Sequence, residues 1–110
     1  MGRGSPEPPL AESVRIEILE SAVEDLRLGH LFYEEQRPGL GNYFLDSLFS
    51  DIESLLITGG VHPIHFDRYQ RLLSKRFPFA VYYRKEGDTV RIYAVLDCRR
   101  DPETTADRLK

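Results

Sequence analysis

The chain has 110 residues, 41% of them hydrophobic and 30% charged, with a net charge of −3. That length supports one domain with a modest core, and no run approaches the ~18 apolar residues of a membrane span. The single cysteine, Cys98, excludes an intrachain disulfide and a Cys-based zinc cage. The polar, Pro-rich start offers no signal-peptide core, so a cytoplasmic protein is expected.

Charge is unevenly spread. Residues 1–60 carry four basic and eleven acidic side chains, and residues 61–110 carry eleven basic and seven acidic. An acidic half joined to a basic half predicts a polar field across the folded domain, although solvated helices rich in Glu and Asp would produce the same count.

Residues 1–12 hold Gly2, Gly4, Pro6, Pro8 and Pro9, which oppose helix and strand alike. They read as a tail, either a cloning remnant or a natural flexible extension. Val14, Ile16 and Ile18 alternate with Arg15 and Glu17, which predicts a first strand. Ser21 with Glu24 three residues on matches a capping box. Leu19, Val23, Leu26, His30 and Tyr33 then recur at three- and four-residue steps, one face of a helix. Gly29 weakens that helix by up to ~1 kcal/mol relative to Ala. Arg37-Pro38-Gly39-Leu40-Gly41 ends it.

A second helix is marked by the stripe Phe44, Leu45, Leu48, Phe49, Ile52, Leu55 and Leu56, with Asp46, Asp51 and Glu53 off it. The short intervening loop predicts an antiparallel αα-hairpin. Thr58-Gly59-Gly60 closes it, and His62, Pro63 and His65 occupy the connection that follows.

Residues 66–76 alternate as a strand, Tyr69, Arg71, Leu73 and Lys75 against Arg68, Gln70, Leu72 and Ser74; a short helix competes. Phe77, Phe79, Val81 and Tyr83 share one face of the next strand, opposite Ala80, Tyr82 and Arg84. Gly87 supplies a hairpin turn. Val90, Ile92, Ala94 and Leu96 then alternate with Arg91, Tyr93, Val95 and Asp97. Pro102 ends the pairing and opens a last helical turn or two over 103–110. The expected fold is α+β, β-α-α-β-β-β over residues 13–102, with the αα-hairpin on one face of a small antiparallel sheet. The other face is expected to stay partly open and to carry Arg68, Arg71 or Lys75, Arg84, Arg91 and the Arg99-Arg100 pair.

Arg68, Arg71, Lys75, Arg76, Arg99 and Arg100 are the candidate residues for binding a target or a partner. Their charge suits carboxylate or phosphate, and a guanidinium fork on a stiff strand suits either. Arg99 and Arg100 also have acidic neighbours, Asp97 and Asp101, that would pair with them. His30 reads as a core or boundary residue, and the His62/His65 spacing makes no compelling metal site. Cys98 beside two arginines is a candidate for a lowered pKa, or simply a small residue at a strand end. No metal or cofactor is expected.

The β-α-α-β-β-β order, GLGNYFLDSL at 39–48, RLLSKRFPFAVYY at 71–83 and VRIYAVLDCRRDP at 90–102 together resemble the RelE/ParE superfamily. These are toxins of bacterial type II toxin–antitoxin pairs, associated with growth inhibition and plasmid stabilisation. The resemblance spans roughly Ser13 to Pro102. It implies a cognate antitoxin that wraps the toxin, laying an amphipathic helix and an extended segment against the sheet and the αα-hairpin, its acidic side chains complementing the basic half. It also implies one of two activities. ParE-like toxins bind DNA gyrase; RelE-like toxins enter the ribosome and cut mRNA without a metal. For cleavage, Asp97 and Arg100 are the catalytic candidates, with Tyr82 or Tyr93 as a base-stacking platform. Related chains often carry His where this one has Asp97, and a carboxylate beside Arg99 and Arg100 favours the ionised, ion-paired form. The expectation is therefore a ParE-like, gyrase-binding toxin, with a RelE-like endoribonuclease as the alternative and an inactive antitoxin-binding scaffold as a third reading.

Overall fold

In the computed structural model, residues 14–58, 62, 64–65 and 68–110 are described, Ile64 and His65 by their backbone only. The proposed tail at 1–12 and the glycines Gly59 and Gly60 lie outside these residues. The elements are β1 (Arg15–Ile18), α1 (Glu20–Gln36), α2 (Leu40–Glu53), α3 (Leu55–Thr58), β2 (Ile64–His65), β3 (Tyr69–Leu73), β4 (Phe79–Glu86), β5 (Thr89–Asp97) and α4 (Pro102–Arg108).

The sheet order is β1-β5-β4-β3-β2. β3, β4 and β5 pair antiparallel in succession, as their alternation predicts. β1 is different: it lies parallel to β5, Arg15 opposite Thr89 and Ile18 opposite Ile92. The sheet is therefore mixed. Two antiparallel helices intervene between the first strand and the rest, which leaves β1 free to enter beside the last strand. The strand reading of 66–76 holds for Tyr69–Leu73.

The αα-hairpin covers one face. Phe44, Leu48 and Ile52 from the hairpin and Leu55 from α3 meet Phe79, Val81, Tyr83, Val90, Ile92 and Val95 from the sheet, all buried. Burying such side chains contributes about 1.5–3 kcal/mol each before entropy is counted. Phe44 sits among Tyr33, Phe77 and Phe79, with ring centroids 5.2, 5.2 and 4.9 Å away.

The first helix departs from its expected stripe. Its buried residues are Ala22, Asp25, Leu26, Gly29 and Tyr33, whereas Val23 faces outward and His30 is half-buried. Leu19, not Ser21, is the N-cap, without a capping side chain. Ser21 Oγ instead donates to the Tyr93 carbonyl at 2.9 Å, and Glu24 is taken by Arg27. Gly29 is where the hairpin closes: a Cβ there would lie 2.5 Å from Phe44 Cζ. Its lost helix propensity is thus exchanged for close packing. At the turn, Gly39 adopts φ +89°, and Glu34 accepts hydrogen bonds from the Gly39 and Gly41 amides. Those amides hold the Glu34 carboxyl below its usual range.

Asp51, which the helical spacing puts off the apolar stripe, is buried and accepts from Ser74 Oγ at 2.7 Å and Lys75 N at 3.3 Å. It ties α2 to the turn after β3. On the outer side, Phe49 and Leu56 stay exposed despite their place in the stripe.

Candidate functional site

β5 changes faces midway, and that change shapes the functional end. Its register with β4 runs Tyr83 to Ile92, then Tyr82 to Ala94, so Tyr93 is an extra residue. A bulge of this kind resets the alternation. Val90 and Ile92 face the helices, but after Tyr93 it is Val95 that does, while Ala94 and Leu96 face the other way. Strict alternation, which puts Val90, Ile92, Ala94 and Leu96 together, fails at that point. Asp97, opposite Phe79, consequently lies toward the helix side.

Beyond Asp97 the chain turns sharply. Cys98 N donates to the Pro78 carbonyl at 2.7 Å and Arg100 N to the Asp97 carbonyl at 3.2 Å. The Asp97 carboxylate accepts from Arg99 N at 2.8 Å, Arg99 Nε at 2.9 Å and Arg99 Nη2 at 2.6 Å. The guanidinium and amide of Arg99, with Arg100 nearby, hold the Asp97 carboxyl below the usual carboxylate range. The same pairing raises the Arg99 pKa, so both stay charged. Asp97 thus works as a turn cap and salt bridge.

Asp101 then caps α4, accepting from Glu103 N at 2.9 Å, with Pro102 opening the helix. α4 runs back over the sheet face that was expected to be open. Leu109 packs with Tyr69, Ala80, Tyr82, Ala94 and Leu96, and Thr105 is buried. Arg108 reaches around β5 and grips Asp25 of α1 through two hydrogen bonds of 2.6 and 2.7 Å. Asp25 also accepts from Val95 N at 2.9 Å, on the β5 edge past the end of β1. The far end of this face is also occupied. Glu86 pairs with Arg84 and Arg91, and Glu17 with Arg91.

What stays accessible is a cleft between the β5–α4 turn and β3. It is lined by Arg71, Tyr82, Asp97, Cys98, Arg100, Pro102 and Thr105. Lys75 and Arg76 are exposed in the β3–β4 turn at the same end of the sheet, since Ser74 pairs with Phe79 and Phe79 with Asp97. Five of the six candidate cations therefore gather at one end. Arg68 does not: it sits in the turn before β3, beyond the pairing of Gln70 with Tyr83. Tyr82 is buried, whereas Tyr93 is half-exposed and stacks edge-on with Tyr69 at 5.2 Å.

The remaining candidates have other positions. Cys98 is exposed, and partial burial of its thiol raises the pKa against the pull of Arg71 and Arg99, opposite to activation. His30 Nε2 lies 3.2 Å from Asn42 Oδ1. His62 Nδ1 lies 2.7 Å from Tyr83 Oη, and burial pushes that phenol up to about 12. Among the described residues no group of three His, Cys, Asp or Glu side chains is arranged to hold a metal. Sequence reasoning missed Asp25 and Arg108, because an acid in a helix and a base near a terminus carry no local sign of pairing.

No family model and no curated protein matches this chain. Among solved structures, it is similar to a chain of the chromosomal ParDE TA system from P. aeruginosa. The TM-score is 0.70 at 16% identity, covering 76% of this chain and 95% of that one. The protein thus has the ParE-like α+β fold that its sequence resemblance implied.

Proposed function

We propose that this chain is the toxin of a type II toxin–antitoxin pair, that it stops growth by binding DNA gyrase, and that a cognate antitoxin silences it. The observation that carries the reading is the fold likeness to the ParDE chain over 95% of that chain's length. Local chemistry supports binding over RNA cleavage. A general base or acid must change protonation during the reaction, and Asp97 is held ionised by Arg99. Of the two aromatic candidates, Tyr82 is buried against Leu109, whereas Tyr93 stays half-exposed beside Tyr69. The Arg71–Arg100 cleft, with Lys75 and Arg76 beside it, remains a cationic surface suited to a macromolecular target.

The test is expression with and without the neighbouring open reading frame, alongside two assays on purified protein. Alone, the protein should slow growth and inhibit gyrase supercoiling, while mRNA in a translating extract stays intact. Arg71→Ala and Arg100→Ala should relieve growth arrest with the fold retained, and Arg68→Ala should not. Cut mRNA with unaffected gyrase would replace this reading with the RelE-like one. Unimpaired growth on expression of the folded protein would leave an inactive scaffold.

A further inference from the structure

On one side the sheet ends at β1, and no described element pairs with its outer edge. Arg15 N donates to the Asp88 carbonyl at 2.8 Å and Leu19 N to the Ile92 carbonyl at 3.0 Å, so these residues turn their backbone groups toward β5. Alternate residues of a strand bond to opposite sides, so Ile16 and Ile18 turn their N–H and C=O groups outward. Folded proteins blunt such an edge with proline, lysine, a bulge or a covering element. β1 has no proline or lysine, and its register with β5 runs unbroken. Val14, Ile16 and Ile18 pack on the core yet stay half-buried, so the core is left unfinished along this edge.

The opposite face of the strand holds a row of charges with one member unmatched. Glu86 pairs with Arg91, and Arg91 with Glu17 at 2.5 Å. Arg15, exposed on the same face, has no carboxylate partner among the described residues. Its Nη2 donates only to Thr89 Oγ1, at 3.3 Å.

We propose that β1 pairs antiparallel with β1 of a second copy about a two-fold axis at Ile16, joining two five-stranded sheets into one. The segment Val14-Arg15-Ile16-Glu17-Ile18 is its own complement in that register. Ile16 lies opposite Ile16 of the second copy and Val14 opposite Ile18, and these outward-turned residues exchange the backbone hydrogen bonds. Arg15 lies opposite Glu17 at the non-hydrogen-bonded positions, where Cα atoms approach to about 4.5 Å. Opposite charges stabilise a strand pair there, and like charges oppose it. Moving the axis by one residue sets Arg15 against Arg15 or Glu17 against Glu17. Moving it by two runs the four-residue strand off its partner. This self-complementarity selects a second copy over an unrelated extended segment. The strand is short, and the two αα-hairpins, with eight acidic and two basic side chains over residues 20–53, come to lie on one side of the joined sheet. Both features limit affinity and put the dimer in the weak, transient class, with a Kd of roughly 100 μM. The inference does not depend on the toxin reading.

Sedimentation equilibrium of the full-length protein from about 10 μM to about 1 mM tests it. The parent should pass from monomer to dimer over that range. Arg15→Glu and Glu17→Arg each set like charges at both symmetric contacts, and each should weaken dimerisation about tenfold. Mixed in equal amounts, the two variants bring opposite charges together at both contacts, so the mixture should dimerise as the parent does. A misfolded variant could not be rescued in this way. Amide exchange followed by NMR should slow at Ile16 and Ile18 as concentration rises, with Arg15 and Glu17 unchanged because β5 already holds them. A parent that stays monomeric to about 1 mM would overturn the proposal. So would dimerisation indifferent to both charge variants, variants that mixing does not rescue, or exchange at Ile16 and Ile18 that ignores concentration.

Discussion

Replacing Gly29 with alanine sets two opposed effects against each other. Alanine gains about 1 kcal/mol of helix propensity over glycine in a helix interior. The new methyl, however, would lie 2.5 Å from Phe44 Cζ and 2.6 Å from Cε2, where carbon atoms prefer about 3.5–4.0 Å. Something must move by roughly 1 Å. The ring has little freedom, because Phe44 is fully buried and touches Tyr33, Phe77 and Phe79. Overpacking of a stiff core costs about 1–3 kcal/mol, and this site belongs in the upper half. The net expectation is destabilisation of about 1–2 kcal/mol, or a melting temperature lower by roughly 5–10 °C. Urea denaturation followed by circular dichroism measures it. The companion variant Phe44→Leu removes the obstructing ring atoms, so the double variant should be less unstable than the two single losses summed, by about 1 kcal/mol. A Gly29→Ala protein as stable as the parent, with no coupling to Phe44→Leu, would refute the close-packing account and restore propensity as the main term.

Asp25→Ala removes the acceptor of both Arg108 and the Val95 amide, and should cost about 1.5–3 kcal/mol while speeding amide exchange in α4. Arg108→Ala keeps the Val95 bond and should cost less, which chemical denaturation and exchange mass spectrometry can check. Asp97 has a folded pKa below its unfolded value, so its contribution is present above about pH 4 and is lost as pH falls through the lower folded value. Asp97→Asn should therefore flatten the decline of stability between neutral and strongly acidic pH, read from urea midpoints; an unchanged slope would count against the Arg99 pairing.

Period-two alternation made β3 and β4 legible in advance, and the αα-hairpin followed from apolar spacing and the Pro-Gly loop. Both signals are local. They report which side of one element avoids water, so Phe79, Val81 and Tyr83 fell on one face, as Phe44, Leu48 and Ile52 did in α2. Composition also revealed the acidic first half. Tertiary structure decided what depends on a distant partner. The bulge at Tyr93 moves Asp97 toward the helix side, and no residue near it signals the slip. Asp51 and Asp25 look like solvated helix acids until Ser74 and Arg108 arrive from 23 and 83 positions away. A helix of about two turns such as α4 has too little intrinsic stability to predict its own place. Leu109 and the Arg108–Asp25 grip fix where it lies, and that placement closes a face that alternation alone leaves open. Local hydrophobic pattern set the elements, whereas pairing of buried charges and register across the sheet selected the surface left for partners.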